Sequence, residues 1–244
     1  MSETGTLIGY RGQTVGRQEL ALVPTPPATE THRPIPHYEI VAALIETLAF
    51  RHIAVVDDEY AVSPDGMKMF GVLDLATEME SCRFSIGLRN SHDKSMRLAM
   101  TCGYRVFVCS NMAFSGDFTP VLAKHSKSFS LIDCVSLGVD RMQRNFEPMR
   151  RQVEAWQRSD LKDVTAKVVI YEAFVEGKLE VPKHLAPTVH DLYFEPKYEE
   201  FRARTIWSLS NAFTSAFKEL DPIPQFKATA KLGEFLEARF SQSF

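Results

Sequence analysis

The sequence predicts an α+β fold, in which a helix and a twisted antiparallel sheet carry long helices packed on one face. Three observations predict it. Ile40, Val41, Leu44, Ile45 and Leu48 recur at helical spacing over His37–Phe50, just after Pro36. A turn, Ser63-Pro64-Asp65-Gly66, separates two strand-like runs, His52–Val62 and Met67–Leu75. Further on, Ile132, Val135, Val139, Met142, Phe146, Met149, Val153 and Trp156 are spaced 3, 4, 3, 4, 3, 4 and 3, one stripe of a long helix. Strands gathered before helices indicate α+β rather than a βαβ alternation.

In chain order, residues 1–35 hold Gly5, Gly9, Gly12 and Gly16, then Pro24, Pro26, Pro27 and Pro34. They read as a flexible arm with one short apolar patch at Leu20–Val23. Residues 36–244 read as a single α+β domain. The helix and hairpin above are followed by a strand, Cys82–Arg89, with Cys82, Phe84, Ile86 and Leu88 on one face and Arg83, Ser85, Gly87 and Arg89 on the other. This is expected to be a basic outer strand. Tyr104–Cys109 predicts another strand, and residues 114–128 predict loop and edge structure. The long helix sets Arg141, Arg144, Arg151 and Arg158 opposite its stripe, with Pro148 as a kink. A strand at Ala166–Val175, a helix at Lys197–Leu220 ended by Pro222 and Pro224, and a short helix at Lys227–Phe240 complete the expectation.

With 244 residues, 45% hydrophobic and 24% charged, the chain has enough apolar matter for a sizeable core. Seventeen Phe argue against intrinsic disorder. No run reaches the roughly 18 apolar residues of a membrane helix, and the start lacks the pattern of a secretion signal; a cytoplasmic location without membrane association is expected. Cys82, Cys102, Cys109 and Cys134 lack metal-knuckle spacing and predict buried thiols. The net charge of -3 hides an asymmetry: residues 37–80 carry 2 basic and 9 acidic groups, whereas residues 81–158 carry 12 basic and 6 acidic.

One stretch of the chain is distinctive. Arg89-Asn90-Ser91-His92-Asp93-Lys94-Ser95, then Gly103-Tyr104-Arg105-Val106-Phe107-Val108-Cys109-Ser110-Asn111, then Lys124-His125-Ser126-Lys127, and later Ile206-Trp207 with Asn211-Ala212-Phe213-Thr214, closely resemble the phage/plasmid-like proteins that share the domain of unknown function 932. The resemblance spans about residues 36–220 and implies a setting in mobile elements with no established activity. Ser110 departs from the acidic residue that the family's pattern leads one to expect. The order of elements is also similar to that of single-strand annealing proteins of the Rad52-like kind.

Catalytic readings find little support. His92, Asp93 and Lys94 beside Lys124, His125 and Lys127 suggest general acid–base chemistry on a phosphodiester, yet a nuclease needs converging carboxylates for Mg²⁺. Asp93 and Asp117 are the nearby candidates. Asp57-Asp58-Glu59 reads as a solvated hairpin edge, with Asp58 facing away from its two neighbours. Cys109 with His125 suggests a thiol–imidazole pair, but the apolar strand around Cys109 favours an inert thiol. His32, His37, His52, His184 and His190 stand singly and read as structural or surface residues. Phosphate-loop, nucleophile-elbow and zincin motifs do not occur. No catalytic residue, metal or cofactor is therefore expected.

Single-stranded nucleic-acid binding fits better. Arg83, Arg89, Ser91, Lys94, Arg105, Lys124, His125 and Lys127 lie in the basic segment, interleaved with Phe84, Tyr104, Phe107, Phe114, Phe118 and Phe129. Cationic grooves with aromatic platforms take single strands by phosphate neutralisation and stacking. The expectation is a non-catalytic binding protein that assists annealing or recombination in a phage or plasmid. Residues 37–80 set against 81–158 suggest a homo-oligomer. The alternatives are a counter-defence protein that binds a host protein, or a metal-dependent nuclease.

Overall fold

A computed structural model describes residues 13–109, 111–114, 121–123 and 129–240. The chain forms an α+β fold of two compact units, residues 1–105 with 118–146, and residues 106–117 with 147–244. The sequence pattern, which reads as one body from residue 36, carries no trace of this division. The chain passes between the units inside a strand and inside the long helix, where neither pattern is interrupted.

The first unit is built on an antiparallel sheet. Its strands are β1 (Gln13–Val15), β2 (Val55–Val62), β3 (Lys68–Glu78), β4 (Cys82–Ser91) and β5 (Leu98–Val106), in sequential order. A short strand placed later in the chain, Val121–Ala123, pairs with β5, with Leu98 opposite Ala123. β4 therefore lies inside the sheet, not at its edge as expected. The hairpin turn forms as the sequence predicts, with Gly66 at φ 71 and Gly66 N donating to Ser63 O. One face of the sheet carries Tyr60, Leu73, Phe84, Ile86 and Leu88, all buried. Helix α2 (His37–Phe50) contributes buried Ile40, Val41, Leu44 and Leu48 to this unit. The long helix runs over Leu131–Arg158, and its first half buries Val135, Val139 and Met142 and stacks Phe146 on Phe84 at 4.4 Å. Ile132, placed first in the predicted stripe, is 71% exposed.

The described part of the arm is packed rather than loose. β1 pairs with β2 through Gln13–Val62, Thr14–Ala61 and Val15–Tyr60. A helical turn, α1 (Arg17–Leu20), buries Leu20 and lets Arg17 grip both oxygens of Asp58, at 3.0 and 2.7 Å. Proline and glycine removed the periodic pattern, but an edge strand and one apolar anchor need only a few residues.

The second unit is mostly helical. Its elements are β6 (Met112–Phe114), the second half of the long helix (α3), α4 (Asp163–Phe174), α5 (Leu185–Phe194), α6 (Ile206–Ala216) and α7 (Pro222–Phe240). The strand expected at 166–175 is thus a helix, and the helix expected from Lys197 begins at Ile206 after a 3-10 turn, Glu199–Phe201. A bridge, Asp160 with Thr205, closes a loop between α3 and α6. Of α6, ten residues from Ile206 to Ala216 are buried, which makes it the unit's central element.

Candidate functional site

The antiparallel register decides which side chains share the second face of the sheet. Opposite one another are Asp57 with Asp74, Glu59 with Val72, Asp74 with Ser85, Phe70 with Arg89, Lys68 with Ser91, and Glu78 with Arg83. Since side chains alternate, this face carries Asp57, Glu59, Lys68, Asp74, Arg83, Ser85, Arg89 and Ser91. Asp58 points to the other face, as its alternation predicts. Arg105 on β5 joins the charged face through Glu59 and Asp74. Of the candidate binding residues, the fold thus brings Arg83, Arg89, Ser91 and Arg105 onto one surface, in mixed company.

The two ends of this face differ. At one end, Arg105 lies 2.5 Å from Glu59 and 3.3 Å from Asp74, and Arg83 lies 3.2 Å from Glu78. Asp74, 5% exposed at its side chain, also accepts a hydrogen bond from Ser85 at 2.7 Å. Burial raises its pKa, against the pull of Arg105 and Ser85. Four adjacent strands are tied side chain to side chain here, and Arg83 and Arg105 spend their charge within the protein. Each of the two thus has a carboxylate partner within the protein.

At the other end, Arg89 is half-buried. Its Nε is shielded from water and has no hydrogen-bond partner, and burial pulls the guanidinium below its usual pKa with no acid to offset it. Lys68 on the same face has Asp93 at 3.7 Å. In the turn after β4, Lys94 and Arg97 are exposed, with Lys94 at φ 66. The Ser91 hydroxyl is not free for a ligand, since it donates to Met96 O and accepts from Met96 N. Lys124, His125, Lys127, Asp117 and Phe118 lie outside the described residues. Ala123, the last described residue before that run, sits opposite Leu98. Arg97 escaped the sequence reading although it stands three residues after Lys94.

Among the described aromatics of the expected platform, two are buried and one is open to solvent. Phe84 and Tyr104 are buried, and Phe84 stacks within the core of the first unit; Phe107, by contrast, is 44% exposed. The acid–base reading of His92 also fails on geometry. His92 is 3% exposed and spends Nε2 on Ile35 O at 3.0 Å. Asp93 is engaged with Ser95 N and Oγ; partial burial opposes ionisation, and the Ser95 bonds outweigh it to hold the carboxyl below its ordinary range. No group of three metal-ligating side chains occurs among the described residues. Cys82, Cys102 and Cys109 are buried, whereas Cys134 is half-buried, and burial pushes Cys82 and Cys102 up to about 12.

Sequence reading missed a buried histidine cluster in the first unit. His37 and His92 stack at 3.9 Å with an interplanar angle of 8°, and His32 Nε2 lies 3.0 Å from His92 O. Asn90 Nδ2 bridges Ile35 O at 3.2 Å and His37 Nδ1 at 2.9 Å. The separations in sequence, from 32 to 92, match no ligand spacing, so only the fold reveals it. In the second unit, Asn111 Nδ2 donates to Asn211 O and Oδ1 at 3.1 and 3.2 Å, and Lys218 Nζ donates to Cys109 O. Two stretches that carried the family resemblance, one ending at Asn111 and one containing Asn211, therefore meet in a buried amide pair.

No curated protein matches the chain, and no solved structure does. A family model does match: it covers residues 41–232 and is described as Domain of unknown function (DUF932). That span includes the charged sheet face, Asn90, His92 and both asparagines of the amide pair, and the chain belongs to this family.

Proposed function

We propose that the chain binds the backbone of single-stranded nucleic acid and assists annealing or recombination in a phage or plasmid, without catalytic residues of its own. The observation that carries this reading is Arg89, a half-buried guanidinium with no acid beside it. Burying a cation without a counter-charge is costly, and a bound phosphate would supply the missing charge. Exposed Lys94 and Arg97 extend the same end of the sheet. Phosphates along a strand are the ligand that suits several cations in a row. The neutralised acidic end limits the contact to this side. Assembly into a homo-oligomer in the cytoplasm belongs to the same proposal.

Fluorescence anisotropy of a labelled single-stranded oligonucleotide across a salt series tests it. Each lost phosphate contact lowers the log–log salt slope by about 0.7. Lys94→Ala with Arg97→Ala is expected to lower it by about 1.4 with unchanged melting. Lys124→Ala with Lys127→Ala is expected to do the same. No affinity of the unaltered chain for any oligonucleotide at low salt sinks the reading.

One observation favours a second reading, binding to a host protein. On α4, Val164, Val168 and Tyr171, with Val175 just beyond its end, are 74, 40, 54 and 52% exposed, an apolar row of a kind that marks protein contacts. Loss of oligonucleotide binding together with capture of a partner that Val168→Lys abolishes would favour it.

A further inference from the structure

We propose that His32, His37 and His92 form a proton-operated latch that holds residues 13–36 on the sheet of the first unit. Those residues form a strap: β1 covers the edge of β2, Leu20 and the Arg17–Asp58 pair anchor its start, and the histidines anchor its end. This inference does not depend on nucleic-acid binding.

The polar bonds of the cluster suit neutral imidazoles. His32 Nε2 faces the His92 carbonyl, His92 Nε2 faces the Ile35 carbonyl, and His37 Nε2 faces the Gly66 carbonyl at 3.1 Å. A carbonyl only accepts, so all three rings carry their proton on Nε2. Asn90 must present its amide N–H groups to Ile35 O, which fixes the amide's orientation; the same nitrogen then donates to His37 Nδ1. A second proton on His37 would set donor against donor. His92 Nδ1 is buried without a partner, so a second proton there would be an unmatched buried charge. The parallel stack at 3.9 Å also disfavours two cations.

The elements around the cluster carry the following charged groups. From the hairpin turn, Asp65 accepts from Ser63 Oγ and Met67 N. Lys68 from β3 pairs with Asp93 from the turn after β4. Lys94 from that turn is exposed, and α2 contributes Glu39 in its first turn. Burial depresses His92 most, opposed by Ile35 O and Asp93 and aided by His32. The sign follows: a histidine depressed in the folded state adds stability above its ordinary value of about 6.5, and that stability is lost as pH falls below it. Two of the three bonds that close the latch, to Ile35 O and from His32, belong to the strap. Nε2–H donates in either charge state, so what protonation adds is an unmatched buried charge at His92 Nδ1; opening the strap brings that charge to water and uncovers the backbone of β2, an edge open to strand addition.

Amide hydrogen exchange of the full chain from pH 8 to 5, corrected for intrinsic exchange rates, reads this directly. The probes are the bonded amides Leu20 N and Thr29 N in the strap and the β3–β4 ladder in the body. Strap protection is expected to fall by about tenfold per pH unit for each proton taken up, with the ladder unchanged. Asp58 lies below the ordinary carboxylate range because Arg17 and Tyr60 outweigh its burial, so the Arg17 pair stays intact across this window. His92→Gln keeps an N–H for Ile35 O and is expected to remove most of the pH dependence. If that variant does not fold, titration of the His92 Cε1 proton in the unaltered chain decides. A midpoint below about 6.5 that coincides with strap release supports the latch. Unchanged strap protection, simultaneous loss of strap and ladder, or a His92 midpoint at or above 6.5 overturns it.

Discussion

Single side chains explain much of how the sheet is tied together. Gly71 is one: a Cβ there would sit 2.7 Å from the Tyr60 ring, which is fully buried. Gly71→Ala is expected to cost about 1 to 3 kcal/mol by overpacking, measured by denaturant melting. A change under about 0.5 kcal/mol means the ring moves aside without penalty. Arg105 serves two carboxylates, and its removal leaves buried Asp74 without its ion-pair partner, with only the weaker pull of Arg83. Arg105→Met is expected to cost about 2 to 4 kcal/mol, and adding Asp74→Asn should recover part of it. A purely additive double variant rules out the pairing. The alternation that sends Arg83, Ser85 and Arg89 to one face was legible in the sequence. The acids opposite them were not, because pairing across strands is set by register, and register is a property of the folded sheet.

At the scale of elements, α4 shows where pattern reading fails. Val168, Val169, Ile170 and Tyr171 form a β-branched and aromatic run, which favours a strand. Yet Ala166, Val169, Ile170, Ala173 and Phe174 are buried, at helical spacing. The period was hidden because the exposed face is apolar as well. Its contrast with the buried face, on which periodicity depends, is nearly absent. Replacing Val164 by Glu is expected to change stability by no more than about 0.5 kcal/mol, a result that denaturant melting checks. The α3 stripe was legible for the opposite reason, since arginines mark its wet face: Arg151 and Arg158 pair with Glu147 and Glu154 one turn away. α6 is set by Thr205, whose Oγ1 accepts from Ser208 N at 3.1 Å. Thr205→Ala should cost about 0.5 to 2 kcal/mol, and an unchanged denaturation midpoint refutes that role.

Across the whole molecule, the α+β class was legible and the two units were not. Composition and period report on local surroundings, whereas the division depends on which distant segments meet. Neither unit is a continuous piece of chain. A chain ended after Arg105 lacks Val135, Val139 and Met142 and leaves Phe84 without Phe146, so it should show no cooperative melting in circular dichroism. A chain ended after Phe146 should melt cooperatively. Equal cooperativity in the two fragments shows that α3 adds nothing to the first unit.

The same threading acts during synthesis. Val106–Asp117 leaves the ribosome long before its partners, because β6 packs with α7 and α7 ends at Phe240. At about 5 to 20 residues per second, buried Val106, Cys109 and Met112 wait about 6 to 25 seconds for that helix. Meanwhile the first unit has all of its own residues as soon as Phe146 has emerged. The nascent chain therefore carries Val106, Cys109 and Met112 without the helix that completes their unit, an interval that a chaperone would cover and that slow codons before α7 would lengthen.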